Sequence, residues 1–430
     1  MYDITHFGAI ADGKTLATNA IQSAIDTCAK NGGGKVFIPA GCFLSGSLFL
    51  KDNVELHLDM GAILKASTRL EDYNADDAYP QNYGSLAEEW LGKHLIMAVE
   101  CRNVAITGLG KIDGSGDAFF EEPRFYPYYP WMTGYGWRNG ISYAKDKNTL
   151  RPGQLICFIE SENITLRDFT IVQSPCWSIF LHGCSFVSVS GIRVFNPCFF
   201  GNTDGIDVDC CRFVTISDCI IHTGDDAIAI RCAAQRLKKQ QPCEYITVSN
   251  CTLSSYASGI RIGVGTGQIR HVRLNALTIE KAGSAINYIT SYSGKGCAQI
   301  EDVNFSDISL YDVCFPLQMK GNVGCVKDVS IENIRAYAMC GIKLIAHEDC
   351  RIQNIRLQNL DLHLIPEEQE LTDRRLSIRG DALIELNGLQ DVFLDNVQFH
   401  SSSELLATWK ACIRQTSCKN IRVNNCELPL

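Results

Sequence analysis

One phrase recurs along this chain: apolar, any, apolar, any, Asp or Asn, apolar, any, apolar. It begins at Ile164, Val214, Ile246, Val303, Val329, Ile355, Val392 and Ile421, with looser copies at Val104, Val187 and Val272. The fifth position reads Asp168, Asp218, Asn250, Asp307, Asn333, Asn359, Asn396 and Asn425, and the sixth and eighth positions are apolar throughout. Period-two alternation on both sides of a fixed Asp or Asn describes two short strands joined by a bend, because these residues tolerate left-handed backbone angles and bond their own turn. A helix would need apolar residues three and four apart over about 11 positions, and no copy has them. Leucine-rich repeats would place leucine in several fixed columns, which are missing here. The phrase therefore predicts an all-β fold, a right-handed parallel β-helix in which each copy is one coil and like columns stack about 4.8 Å apart.

A second strand follows the bend in most coils, for example Gly205-Ile206-Asp207-Val208, Ala227-Ile228-Ala229-Ile230, Gly259-Ile260-Arg261-Ile262 and Ala285-Ile286-Asn287-Tyr288. Ile, Val and Leu occupy one parity. Asp207, Ala229, Arg261, Asn287, Lys343 and Glu385 occupy the other, so this sheet is expected to turn a polar, mixed-charge face to solvent and form a candidate groove. Near the start, Thr18 to Cys28 has helical spacing, and a helix there would close the open end of the solenoid. Gly32-Gly33-Gly34 follows it; with no Lys and Ser/Thr opening a helix behind it, the triplet reads as a turn rather than a phosphate loop. The layout is one domain over 1–430: cap and first coils over 1–60, an aromatic-rich insertion over 117–148, and regular coils over 151–430.

Charge and cysteine content narrow the function. With 48 acidic against 39 basic residues, the net charge of -9 offers no global field for nucleic acid or an anionic membrane. The apolar runs are too short to cross a bilayer. The 21 cysteines are an odd number without paired zinc-ligand spacing, and Met1 to His6 shows no export signal, so the expectation is a cytoplasmic protein with reduced thiols and neither metal nor cofactor. Oligomeric state stays open.

Carboxylates gather in Asn202-Thr203-Asp204-Gly205-Ile206-Asp207-Val208-Asp209 and Gly224-Asp225-Asp226. Asp204 and Asp225 lie about one short coil apart, each just before a second strand, and are expected to stack. Neighbouring carboxylates at roughly 5 Å do not all ionise freely, which leaves a proton donor beside an ionised base, the pattern that glycosidic cleavage needs. Calcium binding and turn capping are the competing readings. Asp207 and Asp209, further along the strand, read as solvated face residues.

These motifs resemble glycoside hydrolase family 28, the polygalacturonase family. The likeness extends to Phe7-Gly8-Ala9, Asp12-Gly13, Asn19 to Gln22, Gly32 to Gly34, Pro39-Ala40-Gly41, Arg151-Pro152, and Ser174-Pro175 with Trp177, covering roughly residues 3 to 290. The resemblance implies an inverting hydrolase in which Asp225 is the general acid and Asp204 and Asp226 activate water; the spacing alone leaves inversion or retention open. The family's Gly-His-Gly motif falls on Ser258-Gly259, and its Arg-Ile-Lys motif falls near Asn287-Tyr288-Ile289, so neither is kept. Arg261 is the first candidate to replace the missing cations, ahead of Arg231 and Lys343. Asn202, Ser258, Asn287, Trp131 and Trp137 complete the expected substrate-binding set. The function expected from the resemblance is trimming of short, pectin-derived, galacturonate-containing oligosaccharides, with exo action. A β-helix lyase, a glycosyl transferase or a non-catalytic glycan-binding β-helix are the alternatives.

Overall fold

The structure is a computed structural model that describes residues 1–84, 90–121, 150–233, 236–291, 296–366 and 380–428. It is a parallel β-helix with 32 strands among the described residues. Two compact units emerge, residues 1–121 with 150–225 and 236–241, and residues 226–233 with 242–428.

In the first unit each regular coil contributes three strands. Ile156–Ile159, Glu162–Arg167 and Thr170–Val172 form one coil, and Ile179–His182, Ser185–Ser190 and Arg193–Phe195 form the next. Ile206–Asp209, Arg212–Ser217 and Ile220–Thr223 follow. Register stacks like on like: Ile96, Ile156, Ile179 and Ile206 in one inner column, Val104, Ile164, Val187 and Val214 in a second, Ile112, Ile171, Val194 and Ile221 in a third. All are buried, and each contributes roughly 1.5–3 kcal/mol of burial, so the alternation read from the sequence is the core.

The second unit keeps the phrase in register from Ile246 through Val272, Val303, Val329, Ile355 and Val392 to Ile421. The Asp/Asn column behaves as its chemistry requires. Asp168, Asp218, Asn250, Asp307, Asn333, Asn359, Asn396 and Asn425 all have φ between 49 and 75°. Their side chains form a ladder, with Asn333 donating to Asp307 at 3.1 Å, Asn359 to Asn333 at 3.1 Å and Asn396 to Asn359 at 3.0 Å. A second left-handed column escaped the sequence reading. It includes Asn163, Phe186, Phe213, Tyr245, His271, Asp302, Asp328 and Asn354, and its mixed residue types hide it. Part of this column is an amide ladder too, with Asn163 donating to Asn103 at 3.1 Å and Asn354 to Asp328 at 2.6 Å, while between them ring stacking of Phe186 on Phe213 at 5.0 Å and Tyr245 on His271 at 4.9 Å takes its place.

The predicted helix spans Thr18–Lys30 and buries Ile21, Ala24, Ile25 and Cys28. Its Gln22 takes the place of a neighbouring strand: Oε1 accepts from Phe49 N at 2.8 Å and Nε2 donates to Phe49 O at 3.0 Å. Gly32, Gly33 and Gly34 all lie at positive φ, and a Cβ on Gly33 would stand 2.4 Å from Asn53 O, so the triplet is a turn. None of the 21 cysteines is in a disulfide. Among the described residues no helix is long and apolar enough to cross a membrane.

One expectation needs correction. The polar parity of the second strands does not all face solvent: Asp207, Asp209, Ala229 and Arg261 are buried, while Asn287, Lys343 and Glu385 are half-buried. Alternation fixes which sheet face a side chain leaves from, but not what lies above that face. Of the carboxylates buried there, Asp209 Oδ2 lies 3.7 Å from His182 Nδ1.

Candidate active site

In the first unit the segment Asn202–Gly205 enters strand Ile206–Asp209 after a left-handed turn at Asn202, whose φ is 55°. A dense set of hydrogen bonds fixes it. Thr203 Oγ1 donates to Phe200 O at 2.7 Å and accepts from Gly224 N at 3.2 Å. Asn196 Nδ2 donates to Thr203 O at 3.2 Å and to Ser178 Oγ at 2.9 Å, and Asp204 O accepts from Ser178 N at 2.8 Å. On the next turn, Thr223 Oγ1 donates to Asp225 O at 2.5 Å, and Asp225 Oδ2 accepts from Asn202 N at 3.3 Å. Gly224 is obligatory, since a Cβ would stand 2.0 Å from Phe200 O. These constraints bring carboxylate oxygens of Asp204 and Asp225 within 4.8 Å, with Asp204 buried and Asp225 half-buried.

Asn202 is a positioning residue in this geometry: its Oδ1 accepts from Arg151 Nη2 at 3.0 Å while its backbone holds Asp225. Arg151 is buried, also donates to Pro175 O, and lies 5.0 Å from the Phe120 ring centroid and 5.8 Å from that of Trp90. Sequence reading took Arg151-Pro152 only as a likeness; the structure shows why an arginine stands there. A cation with planar, forked donors ties a carbonyl, an amide oxygen and two rings together.

Trp177, noted in the sequence as part of the family likeness, packs beside it with Tyr83 and Trp90, which that reading missed. Tyr83, Trp90, Trp177 and Phe180 pack with ring centroids 5.4–6.4 Å apart, around buried Cys157 and Cys176. Trp90 and Trp177 spend their ring faces and edges on one another and on Tyr83 and Phe180. Burial also pushes the Cys157 thiol well up, which keeps it protonated and removes it as a nucleophile. Trp131 and Trp137, expected to contact substrate, lie outside the described residues.

Asp226 opens the second unit. It is buried and ion-paired through Oδ2 with Nε of Arg261, itself 3% exposed, whose Nη1 is 3.5 Å from Gly263 O. Arg261 therefore provides Asp226 with a counter-charge. Ser258 is buried and its Oγ accepts from Asn287 Nδ2 at 3.0 Å, one strand away, where Asn287 is the register partner of Arg261. Lys343, a weaker candidate for substrate charge, lies 3.7 Å from Glu385 and over the Phe315 ring at 5.4 Å. Arg231 is buried on strand Ile228–Cys232.

Chemically, Asp204 and Asp225 are a carboxylate pair in a rigid backbone frame. Two carboxylates offer at most four oxygens, short of the six to eight that calcium takes, and Asp225 Oδ2 already accepts a backbone hydrogen bond. The pair suits proton transfer to and from a bound molecule.

Comparison with known proteins places relatives of one family beside this chain. The profile of Glycosyl hydrolases family 28 matches residues 28–324. A "Probable polygalacturonase" of Vitis vinifera is 28% identical over 335 residues, 76% of this chain and 64% of that protein. An "Exo-poly-alpha-D-galacturonosidase" of Dickeya chrysanthemi is 28% identical over 62% of this chain and 48% of its own length. The chain thus spans about half to two-thirds of these two relatives. The Yersinia enterocolitica family 28 exopolygalacturonase structure superposes with a TM-score of 0.71 at 21% identity, covering 98% of this chain and 78% of that one, a likeness of fold.

Proposed function

Because the chain belongs to glycosyl hydrolases family 28, we propose that it hydrolyses O-glycosidic bonds of pectin-type galacturonan, acting on short oligosaccharides from one end. The names of its relatives, polygalacturonases of both exo and endo action, support the substrate class, and terminal attack follows the exo-acting one among them. The observation that carries the reading is the Asp204–Asp225 pair, with oxygens within 4.8 Å and both backbones pinned by their neighbours.

In this mechanism Asp225 donates its proton to the glycosidic oxygen as the bond to the anomeric carbon breaks. Asp204 accepts one proton from a water that attacks that carbon from the opposite face, giving the inverted anomer, a role that the family resemblance gives to Asp226 as well. Half-burial of Asp225 suits a group that must reach both substrate and solvent. Arg261 carries five N–H donors, so pairing with Asp226 is compatible with also receiving a uronate carboxylate.

The test is Asp225→Asn on defined oligogalacturonides, with product sizes followed by chromatography and the nascent anomer by proton resonance. The expected outcome is loss of at least 100-fold in kcat with an unchanged melting curve, and wild-type release of a single small product of inverted configuration. Unchanged turnover in the variant, or an unsaturated product from the wild type, would overturn the assignment.

A further inference from the structure

The outer face of the second unit carries a cluster that hydrolysis does not use. Asp361 and His363 are two residues apart on strand Ile342–Leu364, so both point outward while Leu360, Leu362 and Leu364 point in. Parallel register then sets His400, at the end of strand Leu389–His400, directly beside His363. The two imidazoles stack with centroids 4.8 Å apart, and both aim Nε2 at one oxygen, Asp361 Oδ1, from 3.1 Å (His363) and 3.0 Å (His400).

We propose that Asp361, His363 and His400 bind a divalent transition-metal ion of the zinc class, a site that pins two successive coils together. The donor set is two imidazole nitrogens and one carboxylate oxygen, which suits zinc or cobalt and not the all-oxygen preference of calcium or magnesium. A tetrahedral zinc ion with bonds of about 2.0–2.2 Å has ligand-to-ligand edges of about 3.3–3.6 Å. Two edges of this triangle already measure 3.0 and 3.1 Å, and all three ligand atoms lie within 4.8 Å of one another. Binding thus needs these two edges to spread by a few tenths of an ångström, and water fills the fourth position, because the cluster is partly exposed.

The surroundings hold the ligands in place. Arg335 Nε donates to the other carboxylate oxygen, Asp361 Oδ2, at 3.0 Å, which orients Oδ1 toward the imidazoles. Tyr337 stacks on His363 at 4.8 Å, and Tyr311 on Tyr337 at 5.7 Å, so the two imidazoles end an aromatic column that fixes their ring planes. Strand spacing supplies the separation of the two histidines, and their distance in sequence conceals the site.

The experiment uses the full chain, stripped with a chelator and then freed of it, titrated with cobalt(II) chloride and, in competition, zinc chloride. Expected are saturation at one equivalent, weak visible bands of nitrogen and oxygen ligation, displacement by zinc, and a higher melting temperature with zinc. Both His363→Gln and His400→Gln weaken binding at least tenfold and abolish the zinc-dependent rise in melting temperature, while hydrolytic activity stays at the wild-type level. An intense thiolate-to-cobalt band, undiminished affinity in both variants, or no saturable uptake up to millimolar metal each overturns the proposal.

Discussion

Replacing Arg261 by Met separates two jobs that one guanidinium is asked to do. The side chains of Arg261 and Asp226 are 4% and 6% exposed, so the substitution strands a buried carboxylate without its counter-charge. Removing one partner from a buried pair typically costs about 3–5 kcal/mol, because the remaining charge keeps its desolvation penalty and loses the compensating attraction. With an unfolding entropy of about 2.1 cal/mol/K per residue, a chain of 430 residues that melts as one loses roughly 3–6 °C. If only the second unit melts in the transition, the loss is about twice that. The assay is thermal unfolding by circular dichroism for Arg261→Met and for the double variant Arg261→Met/Asp226→Asn. The double variant is expected to recover much of the loss, since no uncompensated charge stays buried. Kinetics on oligogalacturonides, run in parallel, show a raised KM if the guanidinium also receives the sugar carboxylate. A single variant that melts within 1 °C of wild type, with no coupling to Asp226→Asn, would refute the reasoning about the pair.

Two further outcomes follow from particular contacts. Gly224→Ala puts a methyl against Phe200 O, where the ideal Cβ lies 2.0 Å away; the shift moves the neighbouring Asp225, and kcat is expected to fall about 100-fold with roughly 1–3 kcal/mol of stability lost, read from urea unfolding and initial rates. Burial opposes ionisation of Asp302, but hydrogen bonds from His271 at 2.7 Å and Arg273 at 2.8 Å outweigh it and hold the carboxyl below its usual range. A depressed folded-state value adds stability above the unfolded pKa, near 3.9, and that stability disappears as pH falls through the folded value. Asp302→Asn should therefore lower the melting temperature at pH 6 by an amount worth at most about 1 kcal/mol, given the exposure of the group, and change nothing near pH 2.

What could be read without coordinates was whatever each coil encodes locally. The eight Asp and Asn bends lie at left-handed φ because short polar side chains favour that angle wherever they stand, and Ile164, Val214 or Ile355 point inward because strand alternation is a property of a few consecutive residues. The motif around Asp204 and Asp225 was legible for the same reason: each lies just ahead of a strand whose pattern is plain. The second bend column was not, since Phe186, Tyr245 and His271 share no chemistry with Asn163, and stacking between coils stabilises them instead.

Tertiary structure alone decided which side chains became neighbours across coils. The pairing of Arg261 with Asp226, the tie from Arg151 through Asn202 to Asp225, the burial of Asp207, and the convergence of His363 and His400 on Asp361 all depend on register between distant segments. Register is set by how many residues each coil spends in its loops, and loops follow no repeat. A chain therefore writes the cross-section of a β-helix in its local pattern, whereas the lateral contacts that give charges their partners arise only when the coils are stacked.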